Sequence, residues 1–188
     1  NIKDEVYTKL CELARQQHAT LYMVLQAAFC VLLARLGAGS TIALGTPIAA
    51  RSEEALHNLV GYFANTIVLL SNTAHNPSFI DFLSEVKKPN LNAYKHQDLP
   101  FDSLVNSLSP SRSLAYHPLF QILFAFQNNV DAGFEIPGLN ATLKLVDSPV
   151  AKFDLTLNLL ESKKDGQPSL SAKLEYATAL FDAASIDL

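Results

Sequence analysis

The sequence predicts an α/β fold, a mixed sheet with helices packed on it in two layers, and three observations carry that prediction. Segments of helical period and segments of alternating period follow one another along a single chain. Two very apolar stretches, Thr41 to Ile48 and Ala64 to Ser71, flank a polar connection holding Arg51, Glu53, Glu54, His57 and Asn58. Asp165-Gly166 separates the last two alternating runs, the dipeptide of a tight antiparallel hairpin.

The first helix follows from Ile2, Val6, Leu10, Leu13 and Ala14 at helical spacing, with Lys3, Asp4, Lys9 and Glu12 opposite. Thr20 is placed to cap a second helix and Gly37 to end it. Between them Leu21, Val24, Leu25, Ala28, Phe29, Leu32 and Leu36 form a stripe that Met23, Ala27 and Val31 widen, so this helix is expected to be buried. In the strand Thr41 to Ile48, Gly45 marks a bulge or a close approach and Pro47 an edge or rim. The second apolar strand is rich in large side chains on both faces, which predicts a central strand covered on both sides. Asn76-Pro77 reads as a helix start, with Phe79, Phe82, Leu83 and Val86 facing the core, and Pro89 is expected to kink or end that helix near Glu85 to Lys88. Asp98 reads as the cap of a short helix carrying Phe101, Leu104, Val105 and Leu108.

After a loop from Ser109 to His117, Phe120, Ile122, Phe124 and Phe126 alternate with Gln121, Leu123, Ala125 and Gln127, which defines a strand. Leu139 to Leu145 is expected to be a half-exposed strand beyond a Gly133 to Gly138 loop. The positions Phe153, Leu155, Leu157 and Leu159, then Leu170, Ala172, Leu174 and Tyr176, give the final pair, and Asp182 opens a last helix.

At 188 residues and 49% hydrophobic, the chain is long enough for one domain burying about 70% of its unfolded surface. A net charge of -4 without a basic cluster argues against a nucleic-acid footprint. Lys87-Lys88 and Lys163-Lys164 read as solvated turns. The run Leu21 to Leu36 is broken by Gln26 and Arg35 and is shorter than the roughly 20 residues that cross a bilayer. No signal peptide is visible, and a chain opening on Asn1 reads as a fragment or a processed product. Cys11 and Cys30 fall inside expected helices as small apolar groups, which suits a reducing cytoplasm better than a disulfide scaffold.

Asn65 lies on the same strand face as Ile67 and Leu69, where an unpartnered amide costs about 1 to 3 kcal/mol. Two arrangements satisfy it: a backbone bond closing the Gly61 turn, or a place on the wall of a cavity or tunnel. The five histidines have no company suited to catalysis. The sequence contains no metal-ligand spacing, no GxSxG elbow and no glycine-rich phosphate loop.

Five ordered segments carry a resemblance: GTPIAAR at Gly45 to Arg51, VGYFANT at Val60 to Thr66, HQDLPFDSLV at His96 to Val105, RSLAYHPLFQILFAFQN at Arg112 to Asn128, and AKFDLTL at Ala151 to Leu157. Together they resemble the condensation domains of nonribosomal peptide synthetases, over nearly the whole chain. The resemblance covers the C-terminal half of such a domain. The family's HHxxxDG signature belongs to the other half, so residues 1–188 are expected to be the C-terminal subdomain, without a catalytic residue of their own and inactive alone.

The resemblance implies a fold like chloramphenicol acetyltransferase, two lobes in a V with a tunnel between them, and the N-terminal lobe of the same domain as partner. It also implies donor and acceptor peptidyl carrier proteins and an adjacent adenylation domain. No cofactor is bound directly; phosphopantetheine arms of the carriers tether the substrates. The acceptor amine attacks the donor thioester in a passage kept dry, because water competes as a nucleophile. Carried onto this chain, Arg51, Tyr62, Phe63, Asn65 and Thr66 are expected near the lobe interface and tunnel wall, as substrate-binding residues. His96, Asp98 and Pro100 are expected to be architectural, and Arg112 and Gln121 fit either role. Two positions depart from the family pattern: Ala50 stands where Gly is common, and Pro89 interrupts a helix. A second reading is a non-catalytic module recruiting a carrier protein or tailoring enzyme. A coenzyme A acyltransferase is disfavoured, because the Asp-Phe-Gly-Trp-Gly motif is absent and the chain has no Trp. A half-domain leaves an apolar face uncovered, so the isolated chain is expected to self-associate or to pair with an N-terminal lobe.

Overall fold

The computed structural model describes residues 2–51, 53–111, 113, 116–128, 150–164 and 167–187. Its elements are α1 (Asp4–Gln16), α2 (Leu21–Arg35), β1 (Thr41–Ile48), a 3-10 turn (Glu54–Leu56), β2 (Asn65–Asn72), α3 (Phe79–Lys95), α4 (Phe101–Leu108), β3 (Ile122–Gln127), β4 (Leu155–Lys164), β5 (Gln167–Tyr176) and α5 (Ala183–Ile186). The sheet runs β2-β1-β3-β4-β5, antiparallel at its two ends and parallel where β1 meets β3 and β3 meets β4.

Register sorts the residues into two faces. Ile42, Leu44, Ile67, Leu69, Phe124, Leu155 and Leu159 share one face and are buried; most of them meet α1, α2 and α3 in the main core. Gly45 lies on the other face, and the ring of Phe120 covers it so closely that a Cβ there would stand 2.2 Å from ring carbons. Phe120 in turn packs on Phe101, His117 and Phe153, with centroids 5.9, 4.2 and 5.3 Å away. A small aromatic core, to which α4 contributes Phe101, therefore backs the sheet opposite α1, α2 and α3. Gly45 is the close approach that the sequence offered as one of two readings.

The caps show how local chemistry sets the helix ends. Thr20 accepts from the Met23 N–H at 3.2 Å and starts α2, and Gly37, at φ 96, follows its end. Asp182 does the same for Ser185 at 2.8 Å at the start of α5.

Several expectations are corrected. β2 is an edge strand among the described residues: one face buries Ile67, Leu69 and Ser71, while Leu70 is exposed, so its two-sided apolarity does not make it central. On α1 the inward residues are Tyr7, Leu10, Leu13 and Ala14, while Val6 is exposed. On α2 the stripe is displaced: Ala28, Leu32 and Leu36 face out, and Gln26 is fully buried. Gln26 is tolerated there because it exchanges amide bonds of 3.3 and 2.5 Å with Asn90 of α3, so each buried side chain satisfies the other.

The cap of α3 is Ser78, whose hydroxyl accepts from Asp81 N–H at 3.2 Å; Asn76 lies earlier, in a left-handed conformation at φ 47. Pro89 sits inside α3 without ending it. Of the lysine pairs expected in turns, Lys87 and Lys88 belong to α3, Lys87 donating to Gln17 O at 2.9 Å, and Lys163 and Lys164 belong to β4. The expected strand Leu139 to Leu145, the Gly133 to Gly138 loop, the Asp165-Gly166 turn and Arg112 lie outside the described residues, although β4 and β5 do pair antiparallel up to Lys164 and Gln167. Among the described residues no single helix is long and apolar enough to cross a membrane.

Candidate functional site

β1 and β2 are antiparallel, so the end of one and the start of the other meet, pairing Ile48 with Asn65 and Pro47 with Thr66. The described residues of the connection between them, 49–51 and 53–64, lie at that end of the sheet. Arg51 holds it in shape. Its guanidinium lies 4.2 Å from the Phe63 ring centroid, and it donates to Leu56 O across the 3-10 turn. His57 Nε2 meets Arg51 O at 3.2 Å, which closes the loop from the other side. Arg51 and Phe63, twelve positions apart in sequence, are thus one unit.

Asn65 does something else. Its Nδ2 donates to Gln97 O at 2.9 Å and Leu99 O at 2.8 Å, and its Oδ1 accepts from Phe101 N–H at 3.1 Å. The backbone-bonded arrangement is the one realised, with the join between α3 and α4 as partner in place of the Gly61 turn. It also answers the capping of α4. Pro100 holds the N-cap position and has no side-chain acceptor, so Asn65 supplies the acceptor that Asp98 was expected to supply.

Four large apolar side chains of the loop and the join are exposed. Val60 is fully exposed and Tyr62 is 91% exposed, and Leu59 and Leu99 are exposed as well. Thr66 is half-buried on the sheet face that also carries Gly45 and Val68. The structure therefore joins Arg51 to Phe63 and joins Asn65 to the α4 start, and it leaves Tyr62 projecting. Gln121 donates from Nε2 to His117 O at 2.8 Å, which is a turn-closing role.

His117, one of the five histidines, stands in an aromatic cluster. Its ring meets Phe101, Phe120 and Phe153 at 5.2, 4.2 and 5.3 Å, and its Nδ1 is buried without a hydrogen-bond partner. Burial lowers its pKa from the ordinary histidine value, an effect only partly opposed by a bond with the Phe120 backbone. Among the described residues no cluster of three or more His, Cys, Asp or Glu is placed to hold a metal ion.

A cavity of about 520 Å³ opens at the same end of the sheet, on the helix side, between Tyr22 of α2, Thr46 and Ile48 of β1, Tyr94 of α3, Phe126 of β3 and Glu161 of β4. Burial pushes the Tyr22 and Tyr94 phenols up, and the Cys30 thiol up to about 11. Sequence reading missed this cavity because its walls come from six elements, Cys11 of α1 among them. One signal was present: Glu161 occupies the next inward position after Leu155, Leu157 and Leu159 in the alternation of β4.

This arrangement defines a mixed α/β sheet that presents, at one end, the Arg51–Phe63 pair, exposed apolar side chains and a side cavity. The chain belongs to the condensation-domain family, whose model matches residues 1–188. It is 48% identical over 184 residues to a probable non-canonical nonribosomal peptide synthetase of Salinispora arenicola, covering 97% of this chain and 2% of that protein. It is also 48% identical over 182 residues to the dimodular nonribosomal peptide synthase of Bacillus subtilis, covering 96% of this chain and 8% of that protein. Among solved structures, a four-domain nonribosomal peptide synthetase bound to AMP and glycine superposes with a TM-score of 0.82 at 27% identity, over 99% of this chain and 15% of that one. The X-domain in complex with OxyB from teicoplanin biosynthesis gives 0.83 at 26% identity, over 95% and 39%. The chain thus spans a small fraction of the length of the curated relatives it matches.

Proposed function

We propose that this chain is the C-terminal lobe of a peptide-synthetase condensation domain and forms one wall of the passage in which an amide bond is made. The reacting groups are a donor acyl or peptidyl thioester and an acceptor aminoacyl thioester, each on the phosphopantetheine arm of a carrier protein. The acceptor nitrogen attacks the donor carbonyl carbon, the C–S bond breaks, the nitrogen loses a proton, and the donor thiol leaves carrying one. The catalytic imidazole belongs to the opposite lobe, so this chain contributes position and the exclusion of water.

The observation that carries this reading is the apolar rim of Leu59, Val60, Tyr62 and Leu99 beside the Arg51–Phe63 loop in a chain matched end to end by the condensation family. Exposed side chains of this kind call for a partner surface, and the N-terminal lobe of the same domain is the partner proposed. Tyr62, Phe63 and Thr66 then line the wall, Arg51 shapes it, and Asn65 is a positioning residue, since its amide is already engaged by backbone. Donor and acceptor carriers and an adenylation domain are the further partners, in the cytoplasm.

The test is dipeptide formation on loaded carriers, by the intact two-lobe domain and by this chain alone. Product from the intact domain and none from the chain alone is expected. Product from the chain alone, or none from the intact domain, overturns the reading. The likeness to the X-domain in complex with OxyB favours one other reading, a recruiting module; in that case the intact domain binds a protein partner and makes no peptide.

A further inference from the structure

The cavity beside Asn65 has a feature that simple packing does not require. Tyr22 is held by its ring, 5.1 Å from Phe124 and 6.4 Å from Phe126, yet its hydroxyl is buried with no hydrogen-bond partner. A buried hydroxyl left dry costs about 1 to 3 kcal/mol, so a site that keeps one has something to offer it. Thr46, on the same wall, gives its hydroxyl proton to Phe124 O at 2.7 Å and stands near the Tyr22 phenol, whose pKa it lowers against the larger upward effect of burial. Glu161 is the one charged residue among those lining the cavity, and Tyr7 donates to its Oε1, which fixes the carboxylate in place. At about 520 Å³ the space falls in the range of small-ligand sites, about 300 to 1,000 Å³, and exceeds what packing defects leave.

Its place matters as much as its chemistry. Pro47 and Ile48 line the cavity and pair with Thr66 and Asn65, and Tyr94 lies in the last turn of α3, just before Gln97, whose carbonyl Asn65 holds. The cavity thus lies at the same end of the sheet as the loop of the proposed wall. We propose that it is a side-chain pocket for a tethered aminoacyl group, and that it takes a side chain ending in a hydrogen-bond donor, an ammonium or a hydroxyl, with Glu161 and Tyr22 as its partners. A carboxylate end is rejected, because it would face Glu161. The inference rests on the condensation reading for its substrate, but its test does not.

Cys11 also lines the cavity, and Cys30, fully buried, serves as an unreactive reference. The intact domain is treated with iodoacetamide and alkylation of Cys11 is followed by peptide mass spectrometry in the presence of n-pentylamine, n-pentanol or pentanoate. The amine and the alcohol are expected to slow alkylation about tenfold at about ten times their dissociation constants, and pentanoate to leave it unchanged. Glu161→Gln should remove the amine's protection and retain the alcohol's; Tyr22→Phe, which keeps the ring contacts, should weaken both. No protection by any probe overturns the pocket, as does equal protection by all three that Glu161→Gln does not alter. Because this readout needs no peptide bond, loss of protection with dipeptide formation intact discards the pocket alone, whereas protection without dipeptide formation discards the condensation reading alone.

Discussion

The side-chain oxygen of Asn65 accepts the backbone N–H of Phe101 at 3.1 Å, so the first residue of β2 caps helix α4 across thirty-six positions of sequence. The same side chain donates to Gln97 and Leu99, so one amide fixes the α3–α4 join to the sheet edge. Asn65→Ala should therefore cost stability, about 2 to 4 kcal/mol in urea unfolding, from a lost cap and two unpaired carbonyls. Asn65→Asp is the sharper comparison. It keeps the acceptor and turns the donor into a second acceptor facing two carbonyls, so it should be at least as damaging as Ala. An Asp variant close to wild type would remove the donor role.

Ala50 adopts φ 46, in the left-handed region that favours Gly. The left-handed cost for a residue with a Cβ is partly offset by the larger entropy that Gly loses on folding, so Ala50→Gly should gain about 0.5 to 1 kcal/mol. Thermal unfolding at one protein concentration checks it. A lower midpoint would contradict the assignment of strain at this turn.

Gly45 cannot accept a methyl group. Its Cβ would lie 2.2 Å from Phe120 ring carbons, and that ring is 1% exposed between three other rings, with nowhere to move. Gly45→Ala should destabilise by about 2 to 4 kcal/mol, and pairing it with Phe120→Leu should recover part of the loss. Additive losses in a double-mutant cycle would mean that the two do not meet.

The Gln26–Asn90 pair gives a reciprocal test. Gln26→Leu alone strands the Asn90 amide and should cost about 2 to 3 kcal/mol, while the Gln26→Leu, Asn90→Leu double variant should be no worse than the single one. A double variant that loses the sum of both single losses would show that the pair does not bond.

These residues also show what the sequence made legible. Periodicity placed β1 and the caps Thr20 and Asp182 to the residue and found β3, β4 and β5, because those signals are local, but β4 runs on to Lys164 and β5 begins at Gln167, beyond the apolar alternation that marked them. Apolarity on both faces of β2 pointed to the sheet centre, but strand order is decided by pairing between distant segments. Gln26 read as an interruption because its partner lies sixty-four residues on. Asn65 was picked out as needing partners, but which backbone it meets depends on how α3 ends. The motifs drew attention to the Arg51 to Thr66 stretch but did not give its contacts, Arg51 with Phe63 and Asn65 with the α3–α4 join, and the cavity walled by Tyr22, Tyr94 and Glu161 was not legible at all.

His117 supplies a pH dependence whose sign is fixed by its burial. Its folded pKa is lowered below the ordinary value, so between about 6.5 and that lower value the unfolded chain binds the extra proton. Stability is therefore retained above about 6.5 and lost as pH falls through that window. His117→Phe should remove this part of the acid sensitivity while preserving the ring contacts. Denaturant midpoints measured across the window for both proteins decide it, and parallel curves would exclude His117 as the cause.

The central claim is that the loop end of this sheet is a wall covered by a second lobe, and amide hydrogen exchange over residues 57–66 measures that cover directly. In the intact two-lobe domain, exchange at Leu59, Val60 and Tyr62 is expected to be at least about tenfold slower than in the isolated chain, a difference of about 1.4 kcal/mol in local protection. Equal exchange in the two, with the rest of the sheet protected alike, would contradict the claim.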